Sequence, residues 1–250
     1  MNILLTNDDG INSDGIKILA KSVSRLGNVF VFAPDTERSA CSSAMTLHNE
    51  LSLIQNNDFG DNCAAFSVCG GYPVDCAKTG IHYVNSILGQ NINFLISGIN
   101  RGENTGTDLR YSGTVGASFE GLYKNIPSFA VSLAFIENTF DRGFEKAAEF
   151  VTDYIEKNMN YFLNQQKVEY VYNINYPNIE NPGKEIFTRP ADFYYEEIYH
   201  KADNVNSEYT LKLTGKRIFD KHVNSGTDLA VLHDGNISIS LIKPEFIFKC

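Results

Sequence analysis

Two aspartates stand side by side where an apolar run ends, in Asn2-Ile3-Leu4-Leu5-Thr6-Asn7-Asp8-Asp9-Gly10. Adjacent carboxylates repel, and holding both at a partly buried strand end is costly unless a cation neutralises them. Taken alone, Asp-Asp-Gly also reads as a turn and cap for a helix opening at Ser13. Two further segments shift the balance. The run Val29–Ala33 leads into Pro34-Asp35 and then Arg38-Ser39, and the run Asn93–Ser97 leads into Gly98-Ile99-Asn100 and Arg101-Gly102-Glu103-Asn104. In an open parallel sheet such strand ends share one edge, which is where ligands bind. Asp8, Asp9, the Ser39 hydroxyl and the Asn100 carbonyl are all hard oxygen donors with no His or Cys among them, which suits Mg²⁺ or Mn²⁺ over Zn²⁺. Two carboxylates cancel one divalent ion, so such a site still accepts a phosphate dianion.

A second constellation follows directly. Glycines at 98, 102, 106, 113, 116 and 121 punctuate the stretch that runs through Tyr111-Ser112-Gly113-Thr114 into a helix. A helix start with Ser, Gly and Thr offers free backbone N–H groups and hydroxyls, a cradle for an anion. Ordinary capping by Ser112 or Thr114 is the plainer alternative, but long Gly-rich connections tend to be functional.

Other chemistries fail on position. A dinucleotide fold needs G-x-G-x-x-G after its first strand, and a single glycine stands there. Gly215-Lys216-Arg217 is no phosphate loop, because Thr210 occupies the first glycine position and Arg217 replaces Ser/Thr. A D-x-D-G phosphatase aligned on Asp9-Gly10 would have Asn7 as nucleophile, and an amide cannot attack phosphorus. A response-regulator receiver also carries paired acids after strand one, but its phosphoacceptor Asp and later Lys have no natural counterparts. The histidines (His48, His82, His200, His222, His233) form no metal-ligand motif and read as surface or packing residues. The cysteines (Cys41, Cys63, Cys69, Cys76, Cys250) contain no CxxC pair and are odd in number, which points to reduced thiols in a cytoplasmic protein.

The elements that must carry these groups read as an α/β fold with a Rossmann-like, three-layer parallel sheet. Strands are expected over Asn2–Thr6, Val29–Ala33, Asn93–Ser97 and Phe129–Ala134, and helices over Ser13–Arg25, Pro73–Leu88, Thr114–Lys124 and Phe140–Phe162. After Lys167 the texture changes to short β-like runs (Val168–Ile174, Glu185–Thr188, Phe193–Tyr199, Glu208–Leu213, Ile237–Ile242) with no convincing helix. The expected organisation is therefore a catalytic core over residues 1–167 and a hairpin-rich extension over 168–250, packing on the core and on a neighbouring subunit, as such arms do. The chain of 250 residues carries 30 acidic and 21 basic residues, a formal charge of −9. That surface disfavours nucleic-acid polymers and anionic membranes as partners. No apolar run approaches the ~20 residues of a membrane span.

Taken together, these residues are recognisable. Leu4-Leu5-Thr6-Asn7-Asp8-Asp9-Gly10 with Ser13-x-Gly15, then Ala33-Pro34-Asp35-x-x-Arg38-Ser39, and above all SGINRGENTGTDLRYSGTVGASFEG from Ser97 to Gly121 resemble the SurE family of survival-protein nucleotidases. Asn173-x-Asn175-x-Pro177, Thr188-Arg189 and Gly226-Thr227-Asp228 continue the likeness in order. The resemblance implies a metal-dependent phosphatase acting on nucleoside 5′- and 3′-monophosphates, with a C-terminal arm exchanged in a homodimer or homotetramer. Carried over by motif, Asp8, Asp9, Ser39 and Asn100 would hold one divalent ion per subunit, and Asn104, Ser112, Gly113 and Thr114 would contact the phosphate. Either Asp8 or Asp9 would take the proton of the attacking water. Two departures, Gly71-Tyr72-Pro73-Val74-Asp75-Cys76 and Ser238-Ile239-Ser240-Leu241-Ile242, touch none of these positions. A nucleotide-sensing stress protein without turnover, or a hydrolase preferring short polyphosphate, would use the same residues.

Overall fold

Alternation along the first strand decides the layering. In β1 (Asn2–Thr6), Ile3 and Leu5 pack with Ile16, Leu19 and Val23 of α1 (Asp14–Val23) and with Ala147, Val151 and Ile155 of α4 (Gly143–Lys157). Leu4 faces the other way, onto Cys76, Ala77 and Ile81 of α2 (Pro73–His82) and Ala117 of α3 (Gly113–Tyr123). Successive strand side chains point to opposite faces, so a strand apolar at every position must be covered on both sides by helices. This computed structural model describes residues 1–135, 141–201, 211–219 and 225–244.

The remaining strands are β2 (Asn28–Pro34), β3 (Ser52–Asn56), β4 (Cys63–Cys69), β5 (Phe94–Arg101), β6 (Ser128–Ala134), β7 (Val171–Pro177), β8 (Glu185–Thr188), β9 (Phe193–Lys201), β10 (Leu211–Phe219) and β11 (Ile237–Ile242). Together with β1, eight of these form one nine-stranded sheet in the order β3-β4-β2-β1-β5-β6-β7-β11-β8. From β4 to β7 all neighbours are parallel, whereas β3 and β11 pair antiparallel with β4 and β7. The chain has the expected α/β class, with a mostly parallel sheet between helical layers. Because β1 lies between β2 and β5, the loops leaving these three strands emerge together at one sheet edge.

Several elements differ from expectation. The helix beginning at Pro73 changes at Tyr83 to a wider turn through Ile87. The predicted long helix is broken at Asn158, whose side-chain amide donates to the Tyr154 carbonyl at 2.8 Å, and a short α5 (Met159–Leu163) follows. Its expected start at Phe140 lies outside the described residues, as do His222, Cys250 and the first three residues of the strand expected over Glu208–Leu213. Strands β3 and β4 were not foreseen. After residue 167, β7, β8 and β11 lie in the main sheet, while β9 and β10 make a separate two-stranded hairpin. A short α6 (Asp228–His233), capped by the Thr227 hydroxyl, occurs where no helix was expected. The four described cysteines Cys41, Cys63, Cys69 and Cys76 are free, and no described helix is long and apolar enough to cross a membrane.

Candidate active site

The turn after β1 is built by Asn7. Its side chain accepts from the Gly10 N–H at 3.2 Å and donates to the Ser13 hydroxyl at 2.8 Å. Neither aspartate caps α1, so both remain for other work. The Asp8 carbonyl accepts the Arg38 N–H at 2.7 Å, which ties the loop carrying Ser39 to the end of β1. Asp8 is 6% exposed, and its carboxylate turns to the start of α3, accepting the Thr114 backbone N–H at 3.1 Å on Oδ2 and the Thr114 hydroxyl on Oδ1. Burial holds its pKa above the ordinary carboxylate value despite these bonds and one from the Gly113 backbone. Gly113 has to be a glycine for this approach, because a Cβ there would lie 2.6 Å from Cys41 Sγ and 3.0 Å from Asp8 Oδ2.

Asp9 accepts the Arg101 N–H at 3.0 Å on Oδ2, and burial followed by the charge of Asp8 pushes its pKa up to about 6. The segment that supplies this N–H is shaped by a bulge in β5. The register with β6 shifts between Ser97 and Asn100, where Gly98 at φ +137° brings its Cα against the Val131 carbonyl. Just beyond it the Asn100 amide nitrogen donates to the Gly102 carbonyl at 2.8 Å, leaving its oxygen as the end that can coordinate. Ser39 donates its hydroxyl to Glu37 at 2.5 Å, which likewise leaves the oxygen lone pairs unspent.

Asp8, Asp9, Ser39, Asn100, Asn104 and Ser112 all line one cleft of about 460 Å³. Gly113 and Thr114 do not; they stand behind Asp8 and spend their donors on it. Ser112 accepts the Val115 N–H at 3.1 Å as the N-cap of α3, and its hydroxyl hydrogen is still available to donate. The cleft also contains Glu37, Glu103, Asp108, Tyr111 and Arg101, which the motif reading did not single out. By sequence Arg101 and Glu103 fall at this edge, and Tyr111 in the stretch entering the helix, without a role, whereas Glu37 and Asp108 are signalled only by lying within four residues of a named position. Among the described residues the cleft is lined by the carboxylates of Asp8, Asp9, Glu37, Glu103 and Asp108 and by the guanidinium of Arg101, an acidic balance that a cation would offset for an incoming phosphate. Among the described residues no group of three or more His, Cys, Asp or Glu side chains is arranged to hold a metal. A cation here would rest on two carboxylates completed by neutral oxygens, a donor set that fits a hard divalent ion.

Known proteins of similar sequence and fold show where the chain belongs. The sequence matches the family described as survival protein SurE over residues 3–197. It is 34% identical over 250 residues to the 5'-nucleotidase SurE of Clostridium beijerinckii, covering 98% of this chain and 94% of that protein. The 5'-nucleotidase SurE of Thermosipho africanus is 47% identical over 157 residues, covering 63% of this chain and 58% of the relative. The crystal structure of the SurE protein from Aquifex aeolicus superposes with a TM-score of 0.77 at 28% identity, covering 97% of this chain and 93% of that one. Sequence and fold converge on one assignment: the chain belongs to the survival protein SurE family.

Proposed function

We propose that the protein is a phosphomonoesterase that hydrolyses nucleoside 5′- and 3′-monophosphates to nucleoside and phosphate with one divalent metal ion per subunit, Mg²⁺ or Mn²⁺. The observation that carries the reading is the meeting of two adjacent, largely buried aspartates with the oxygens of Ser39 and Asn100 in an acidic cleft of about 460 Å³. That volume lies in the usual range for a small-molecule site, and the names of the relatives, 5'-nucleotidase, support a nucleotide as the occupant.

Asp8, Asp9, Ser39 and Asn100 would hold the ion. When bound, a divalent cation supplies positive charge to polarise the phosphoryl group and to acidify water. The chain's own residues do the rest. Asn104 and Ser112 hold phosphate oxygens from the cleft wall, and the Gly113–Thr114 end of α3 adds the positive end of the helix dipole beside them. Thr114 keeps Asp8 fixed in direction, because both of its carboxylate oxygens accept bonds from that one residue. Asp9 has one oxygen on the Arg101 N–H and no hydrogen-bond partner on the other among the described residues, so Asp9 is the carboxylate that takes the proton of the attacking water. We further propose a cytoplasmic setting, in keeping with the free cysteines, and a homodimer or homotetramer joined through the β9–β10 hairpin.

The test is phosphate release from a panel of nucleoside 5′- and 3′-monophosphates and short polyphosphate, titrated with Mn²⁺ and Mg²⁺. Activity on monophosphates that disappears in EDTA and in Asp8→Asn is expected. Binding without turnover would favour a nucleotide sensor, and preference for polyphosphate a different substrate. Turnover unchanged in EDTA would remove the metal from the reading.

A further inference from the structure

The stretch Asn173-x-Asn175-x-Pro177 has no part in the chemistry above, yet both asparagines are fully buried on β7, two strands away from β5. Amide side chains are rarely enclosed in the middle of a sheet unless something claims their hydrogen bonds. Here one residue claims them. Asn175 Oδ1 accepts the backbone N–H of Asn104 at 2.8 Å, and Asn175 Nδ2 donates to the Asn104 carbonyl at 3.0 Å. The side-chain amide thus pairs with both peptide groups of Asn104 as a neighbouring strand would. Asn173 Nδ2 donates to the same carbonyl at 2.9 Å, and the side chain of Asn104 reaches β6 through Nδ2 to Ser132 Oγ at 2.8 Å. Four hydrogen bonds from two strands therefore fix the backbone and the side chain of a loop residue that is 6% exposed and lines the cleft. An amide nitrogen carries two hydrogens, and the bond to Ser132 uses one.

The arrangement is not optimised for stability. Asn173 Oδ1 is buried without a partner, which costs folding free energy that an apolar side chain would avoid. A buried amide kept with one end unsatisfied is better explained by what its other end holds.

We propose that Asn175, assisted by Asn173, is a positioning residue that sets Asn104 against the phosphate of the substrate. The inference rests on the phosphomonoesterase reading, since it supplies Asn104 with its task. A shift of about 1 Å in a substrate-holding group can cost on the order of a hundredfold in rate.

In the manganese-loaded full-length protein, Asn175→Ala is expected to lower kcat/KM for adenosine monophosphate by about ten- to a hundredfold, with Mn²⁺ affinity by calorimetry unchanged. Asn173→Ala removes one bond and the orphaned oxygen, so it should fold at least as well and lose severalfold in kcat/KM. The decisive readout is the background dependence. In an Asn104→Ala protein, Asn175→Ala should cost nothing further, because the group it positions is gone. Wild-type kcat/KM in folded Asn175→Ala and Asn173→Ala, or an equal extra loss in both backgrounds, would overturn the proposal. If the wild type binds adenosine monophosphate without hydrolysing it, the enzymatic reading fails, and the same variants in a binding titration decide the positioning role. Absence of both binding and turnover overturns both.

Discussion

Without a cation, Asp9 is a carboxylate that folding makes harder to ionise, with burial and the neighbouring Asp8 moving its pKa from 3.8 to about 6. Between those values the native state binds more protons than the unfolded chain, so stability falls as pH rises through that window and the penalty is complete at pH 7. One pKa unit corresponds to about 1.4 kcal/mol, and partial solvent contact reduces the total to on the order of 1–2 kcal/mol. Asp9→Asn is therefore expected to unfold several degrees higher than the wild type in EDTA at pH 7, a gain that vanishes near pH 4. Differential scanning calorimetry at the two pH values checks this, and an equal gain at both would refute it. Asp8→Asn should show no such gain, because an amide in place of that carboxylate cannot accept both bonds from Thr114. A divalent ion should reverse the order. At a hundred times its Kd it stabilises the native state by about 2.7 kcal/mol, so Mn²⁺ should raise the melting temperature of the wild type and leave that of Asp9→Asn nearly unchanged.

At the scale of elements, the start of α3 shows how closely the fold is drawn around that carboxylate. Gly113→Ala places a methyl group 2.6 Å from Cys41 Sγ and 3.0 Å from Asp8 Oδ2, so both must move. Such overpacking costs about 1–3 kcal/mol, and activity should fall beyond the loss of folded protein because Asp8 is displaced. Cys41→Ala in the same chain should restore part of the stability; thermal melts and kcat on the single and double variants measure both effects. The elements that carry the site were legible because β1, β2 and β5 are apolar runs that stop at Asp, Pro or Gly. Others were not. β3 is an exposed edge strand whose residues Leu53 and Ile54 face solvent, so it lacks the burial pattern that marks a strand. The Asn158 break depends on a side chain bonding its own helix, which periodicity does not register. β7 and β11 were read as part of an arm, since local pattern announces a strand but not its partner 60 residues away. At the site, the types at Asp8, Asp9, Ser39 and Asn100 could be read from strand ends. That Thr114 would turn its donors onto Asp8, and that Asn173 and Asn175 would hold Asn104, depends on pairings between distant segments.

The scale of the whole molecule is set by the β9–β10 hairpin. Its base is fastened to the body of the subunit: Phe193 is buried against Ala191 and Leu229, and the Tyr195 hydroxyl donates to Asp108 at 2.6 Å on the cleft wall. Tyr194 between them and Ile198 and Tyr199 farther out are exposed by 61%, 39% and 56%. A two-stranded hairpin is marginal by itself in water, and aromatic and aliphatic surface held away from the core calls for a second surface to cover it. A neighbouring subunit would meet that need, which is why the proposed oligomer contact falls on this element. Deleting everything after Lys167 would be a poor test, because it would also remove β7, β8 and β11 from the main sheet. The paired residues Glu196 and Lys216 offer a better cut, since they lie opposite each other in the hairpin register and can be joined by a short Asn-Gly turn. That variant keeps Phe193 and Tyr195 and with them the fastening to Asp108. It should melt within a few degrees of the wild type yet elute as a smaller species, with the subunit number from light scattering reduced to that of a monomer or a half-assembly. A truncated protein with the wild-type mass would show that the hairpin does not join subunits.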